Sequence, residues 1–290
     1  IREELTSKLQ TSALDIVNNI KLLTKIDLYL AKARLAMLAN STLPIINKGG
    51  APSLKEAINP FIERQLSKRG LSFTPITIDL AEGPAVITGA NMGGKTVALK
   101  TLALNILLVH LGFLPFCEAI ELPLLDYIYL NSEESQDTSK SLSSFTGEIL
   151  SLKDALDHAR DCKGLILLDE FARGTNPQEG SLLCSSLTKY LKDNKIISVI
   201  ATHYNGVAEK SSVHYQCVGL KKVSEEVLNK ALLGNTASPQ EIIQRFMDYS
   251  LEKANSSLKV PEEALKLCRL LNFNKEILAK ASNEYNQGDF

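Results

Sequence analysis

Residues Gly89-Ala90-Asn91-Met92-Gly93-Gly94-Lys95-Thr96 spell G-x4-G-K-T, directly after the apolar run Pro84-Ala85-Val86-Ile87-Thr88 and before a helix-forming stretch, Val97 to Leu111. A glycine-rich turn between a strand and a helix gathers backbone N–H groups at the positive end of a helix dipole, which suits a phosphate. Lys95 is then in reach of β- and γ-phosphates, and the Thr96 hydroxyl can help hold Mg²⁺. The plain alternative is a glycine-rich turn that binds nothing. Lysine, strand and helix together favour a nucleoside triphosphate.

A second cluster sits in Leu165-Ile166-Leu167-Leu168-Asp169-Glu170. Four apolar residues predict a buried strand, and its carboxyl end, where α/β sheets place ligands, carries two acids. Asp169 suits the metal and Glu170 the attacking water, which it would orient or deprotonate; the alternative is two solvated acids. Ala201-Thr202-His203 follows the next strand, Ile196 to Ile200, so His203 reads either as a capped surface residue or as a sensor of the γ-phosphate. Ser143-Ser144-Phe145-Thr146-Gly147-Glu148 opens a helix, where hydroxyls and free N–H groups can receive a phosphate or simply cap the turn.

These residues need a scaffold, and the pattern around them supplies one. Strand-like and helix-like blocks alternate: Ala85 to Thr88, Val97 to Leu111, Asp126 to Leu130, Ser144 to Cys162, Leu165 to Leu168, Gln178 to Leu191, Ile196 to Ala201. That alternation predicts an α/β fold with a mostly parallel sheet flanked by helices. Before it, the alternating stretch Leu71 to Leu80 reads as β-rich, and Pro44 through Pro60, with Gly49, Gly50 and Pro52, as a loop-rich entry. Apolar residues spaced by three and four from Ile1 to about Asn40 predict one long helix, or two joined near Thr24. After Gly234-Asn235, Ser238 and Glu241 form a capping box for a helix from Pro239 to about Lys253. Two further helices follow, Ala264 to Leu271 and Asn274 to Glu284.

The composition narrows the class. Lys and Arg number 32 against 33 Asp and Glu, so no strongly basic field marks a nucleic-acid surface. No apolar run reaches membrane-spanning length, which argues against a membrane partner. Cys117, Cys162, Cys184, Cys217 and Cys268 form no C-x-x-C pair, and the default reading is reduced thiols in the cytoplasm. The chain opens on Ile1 rather than Met, which suggests a piece of a longer protein.

Taken together, Thr88 to Thr96, Ser143 to Glu148, Leu167-Leu-Asp-Glu-Phe-Ala-Arg-Gly-Thr-Asn176 and Ala201-Thr-His203 closely resemble the ATPase domain of the MutS family, a branch of the ABC-type ATPases known for DNA mismatch repair. The resemblance implies a P-loop ABC-type ATPase over residues 44–234. It also implies the end of a helical lever over 1–43 and a C-terminal helix-turn-helix dimerisation module over 235–290. The cofactors would be ATP and Mg²⁺, with Gly89, Asn91, Met92, Gly93, Gly94, Lys95, Thr96 and Val97 around the phosphates. Thr96 and Asp169 would serve the metal. Glu170, Lys95 and His203 would carry catalysis. In this family ATP lies between two ATPase domains, so the partner would be a second copy, with Ser143 touching its γ-phosphate and Gly174 to Asn176 at the seam. Phe73 matches an aromatic that stacks on adenine; otherwise it is a core strand residue. Ala90 replaces a usual proline, Thr96-Val97 a Ser-Thr pair, and Pro177 to Gly180 resembles the branch without a mismatch-reading domain. The output implied is a DNA clamp, contacting DNA through segments upstream of Ile1 in repair or recombination control. The alternative is a protein-remodelling or enzyme-reactivating ATPase on the same engine.

Overall fold

The computed structural model of the chain describes residues 2–89, 94–131, 141–220, 222–233, 238–255, 263–271 and 273–287. In chain order the elements are α1 (Arg2–Leu38), β1 (Ile45–Asn47), β2 (Ser53–Ala57), α2 (Pro60–Ser67), β3 (Ile76–Asp79), β4 (Pro84–Thr88), α3 (Lys95–His110), β5 (Ala119–Pro123) and β6 (Tyr127–Asn131). They continue as α4 (Ser141–His158), β7 (Gly164–Asp169), α5 (Pro177–Asp193), β8 (Ser198–Thr202), β9 (Val213–Gly219), α6 (Glu225–Leu233), α7 (Pro239–Phe246), β10 (Asp248–Lys253), α8 (Glu263–Leu270) and α9 (Lys275–Gln287).

Six strands form the sheet that carries the site, in the order β10-β9-β4-β8-β7-β6. All neighbouring pairs are parallel except β10 with β9. Every residue of β4, β7 and β8 is buried, as parallel strands covered on both faces must be. Leu165, Ile166, Leu167 and Leu168 have no exposed surface, each stabilising the fold by about 1.5–3 kcal/mol through burial. One face packs on α3 through Leu99, Leu102 and Ile106, and the other on α4 and α5 through Leu152, Cys184 and Leu191. The expected α/β architecture is therefore present, with strand and helix positions close to the sequence reading.

Three features differ from it. The stretch Pro44 to Pro60 is not merely a loop. It holds β1 and β2, which join β5 and β3 in a second, mixed sheet of order β1-β5-β2-β3. A register shift between Leu54 and Ala57, with Glu56 at φ 51, puts the buried residues of β2 three apart instead of two, hiding the strand's alternation. Of the alternating run Leu71 to Leu80, only Ile76–Asp79 is strand.

The third difference lies in the C-terminal part. The capping box forms as expected, Ser238 Oγ accepting from the Glu241 N–H, but α7 ends at Phe246 rather than near Lys253. Met247 is extended, and Asp248 Oδ1 accepts from the Ser250 N–H at 2.9 Å, a side-chain-to-backbone turn that competes with helix. The chain then enters β10, so the residues from 235 onward are not purely a helical module. Leu220, Leu228, Ile243, Met247 and Leu270 make a satellite core beneath α6 to α8. α9 starts from Asn274, whose side chain accepts from the Glu276 and Ile277 N–H groups.

α1 is a single continuous helix of 37 residues with none of them buried. No described helix is long and apolar enough to cross a membrane.

Candidate nucleotide site

The register of three strands aligns the chemistry. β8 lies between β4 and β7, with Thr88 opposite Thr202 and Asp169 opposite Ala201. The residues just beyond, Gly89, Glu170 and His203, therefore leave the sheet side by side at its carboxyl edge. Gly89 has φ 153, and a Cβ there would lie 2.9 Å from the Cβ of Cys217, so only glycine fits.

Lys95 begins α3, is 3 % exposed, and donates from Nζ to the Gly89 carbonyl at 2.8 Å. The same ammonium lies 3.1 Å from Glu170 Oε1, while Glu170 Oε2 contacts His203 Nδ1. Burial opposes ionisation of Glu170, but the His203 hydrogen bond and the Lys95 charge outweigh it and hold its pKa below the ordinary value. Glu170 itself sits at φ 54, a left-handed conformation that costs a non-glycine residue energy. Its N–H donates to the Ala201 carbonyl at 2.9 Å, and both carboxylate oxygens are engaged, which keeps the residue there. Asp169 ends β7 at 4 % exposure.

Beside the loop is a cavity of about 290 Å³, lined by Ile62, Leu66, Phe73, Ile76 and Tyr249 and by Gly94 to Ala98. Gly94 has φ 84 and no room for a side chain, since a Cβ would meet the Tyr249 ring at 2.9 Å. An apolar slot with two aromatic rings, continuous with the first turn of α3, suits a planar heterocyclic base with its phosphates on the loop.

Of the expected site residues, Gly89, Lys95, Glu170, His203 and Asp169 converge at the sheet edge. Gly94, Thr96, Val97 and Phe73 converge at the cavity. Asn91, Met92 and Gly93 lie outside the described residues. Ser143 belongs to α4, and its side chain is likewise outside them. His203 is bound to Glu170, a contact its position in sequence did not indicate. From the same segment as Ser143, Glu148 is fixed by Asn131 Nδ2 at 2.8 Å and by the Ala172 backbone; burial raises its pKa against those bonds. Tyr249, Ile62 and Leu66 were not foreseen. The alternation of Tyr249 with Leu251 is the one signal that could have found the first.

A lysine at the start of a helix, strand-end acids and an adjoining apolar slot are together suited to binding a nucleotide. Comparison with known proteins specifies the family: MutS domain V, the ATPase domain, matches residues 85–287, and the chain belongs to the MutS family. It is 32 % identical over 297 residues to Endonuclease MutS2 of Carboxydothermus hydrogenoformans, covering 98 % of this chain and 37 % of that protein. It is 34 % identical over 207 residues to Endonuclease MutS2 of Caldicellulosiruptor bescii, covering 70 % of this chain and 25 % of the relative. The chain thus spans between a quarter and little more than a third of the curated relatives it matches. It lies nearer the MutS2 branch, which lacks the mismatch-recognition domain.

Proposed function

We propose that the domain binds Mg-ATP and hydrolyses it, with the adenine in the slot between α2, β3 and β10 and the triphosphate along Gly89 to Thr96. The observation that carries this is the meeting of Lys95, at the start of α3, with Glu170 and His203, just past the ends of β7 and β8, beside that slot. Thr96 and Asp169 form a donor set of one hydroxyl and one carboxylate, which fits Mg²⁺, an ion that completes its shell with phosphate oxygens and water. When bound, Mg²⁺ would neutralise charge on the transferring phosphate. Lys95 would exchange its contact with Glu170 for the phosphates. Glu170, kept ionised, would then orient and deprotonate the attacking water, with His203 holding the carboxylate in place.

By family membership, two copies would share a composite site with Ser143 acting in trans. α1 would be the end of a lever, and α8 and α9 part of a dimerising helix-turn-helix module. Turnover would drive a DNA-directed machine in repair or recombination control; the name Endonuclease MutS2 carried by the relatives favours DNA over a protein client.

Glu170→Gln tests the chemistry. ATP binding should persist while steady-state hydrolysis falls about 10²- to 10⁴-fold, the range for loss of a general base. Hydrolysis near the wild-type rate would remove Glu170 from this role. Lys95→Ala should weaken nucleotide binding itself.

A further inference from the structure

We propose that Lys32 is the joint that couples the long N-terminal helix to the nucleotide site, working through the far end of α3. The inference rests on the ATP reading of that site. Lys32 Nζ donates to the carbonyls of Leu111 and Gly112, each at 3.0 Å, and stands 4.3 Å from the centroid of the Phe113 ring. These three residues form the C-terminal turn of α3. Gly112 N–H returns to the Val109 carbonyl and Phe113 N–H to the Leu108 carbonyl, the paired bonds that close a helix through a left-handed residue.

An ammonium here is favoured by the negative end of the helix dipole and by the ring face together. The remaining side-chain hydrogen bonds of α1, among the described residues, stay within the helix. No residue of α1 is buried. Among the described residues, one cation is thus the side-chain polar tie between 37 residues of helix and the domain.

What it holds is the other end of the phosphate-binding element. α3 runs from Lys95 to His110 and buries Lys95, Leu99, Leu102, Ile106 and Val109 among others. A 16-residue helix packed along its length is about 24 Å long and moves as a unit. Phosphate binding at its first turn therefore reaches Lys32 as a displacement of the carbonyls it grips. By linkage, a change at Lys32 returns to the nucleotide with the same coupling energy.

Backbone hydrogen exchange of this chain, with and without a non-hydrolysable ATP analogue, tests the joint. In the wild type the analogue should protect the first turn of α3 and change exchange around Lys32 in α1 by about fivefold or more, the lower range for site-to-site coupling. In Lys32→Met the protection at α3 should remain while α1 ceases to respond. Phe113→Leu should give a partial loss, and Lys32→Arg, which keeps the donors and the charge, should retain the response. If α1 in Lys32→Met still responds as in the wild type, the coupling runs elsewhere and the proposal falls. It falls equally if wild-type α1 is silent while α3 is protected, an outcome that leaves the ATP reading intact. Absence of protection at α3 overturns the ATP reading, and the joint with it.

Discussion

The long N-terminal helix and the C-terminal strand meet the nucleotide-binding core by opposite physical means. α1 touches it with a partly exposed lysine and buries no residue. β10 is woven into the main sheet, pairing Leu251 with Cys217, Glu252 with Gln216 and Lys253 with Tyr215. Tyr249 lies against Gly94 of the phosphate loop, and beyond the strand Asn255 is joined to the loop's own strand through a buried histidine. His214 Nε2 meets the Thr88 hydroxyl at 2.7 Å, and its Nδ1 meets the Asn255 carbonyl at 2.9 Å. A carbonyl can only accept, so Nδ1 carries a proton and donates to it, and in the neutral ring that burial favours Nε2 accepts from the hydroxyl. The contrast separates two uses of attachment. β10 lines the slot beside the loop, whereas α1 is held through a side-chain contact at the domain's edge.

Removing His214 should damage the molecule most. In His214→Leu the buried Thr88 hydroxyl loses its partner, at about 1–3 kcal/mol, while the carbonyl of the exposed Asn255 can turn to water. A loss of about 3 kcal/mol, the top of that range, lowers Tm by roughly 6–12 °C for a domain of this size, readable by circular dichroism. The pH dependence carries the same signature. Burial holds the His214 pKa below its ordinary 6.5, against the raising effect of the Asn255 bond. Above that pH the ring is neutral folded and unfolded, and it contributes no slope. As pH falls below 6.5 the unfolded chain takes up a proton that the folded chain refuses, so stability is lost until the folded pKa is passed. Between pH 7 and 5 the wild type should therefore lose Tm more steeply than His214→Leu. Equal slopes and equal melting temperatures would mean that β10 is no more firmly attached than α1.

The same contrast governs what could be read from sequence. β4, β7 and β8 were legible because strands buried on both faces are unbroken apolar runs, and the loop and acids stand at their ends in fixed order. Convergence of Lys95 with Glu170 follows from that order. The grip of His203 on Glu170 does not, because it depends on Asp169 standing level with Ala201 across a strand pair, which is a matter of register. β2 was obscured by its bulge at Glu56. β10 was obscured by a genuine helix signal, since the capping box at Ser238 launches α7 and apolar residues at 246 and 249 suit a continuing helix as well as a strand. Only the Asp248 turn separates the two, and its effect depends on sheet pairing far away in sequence.

Tyr249→Ala probes the middle of the scale. Loss of a ring from the slot should cost about 0.5–1.5 kcal/mol of stacking, up to roughly tenfold in nucleotide affinity, measured by titration with a fluorescent ATP analogue. Inorganic triphosphate, which has no base, should bind the variant and the wild type alike. An unchanged ATP affinity would leave β10 a structural strand with no part in the base pocket.

The smallest effect is expected at Lys32, and its smallness is the point. An exposed ammonium on a helix terminus stabilises by about 0.3–1 kcal/mol, and an exposed cation–π contact by about 0.5–1 kcal/mol. Both are offset by the entropy of ordering a long side chain. Lys32→Met should therefore melt within about 4 °C of the wild type, even as α1 loses its response to nucleotide. A drop as large as that of His214→Leu would make α1 an integral part of the core, since one exposed contact cannot supply 3 kcal/mol. A joint that transmits motion must hold direction without adding much to the stability of the domain, and a single lysine on a helix end meets both conditions.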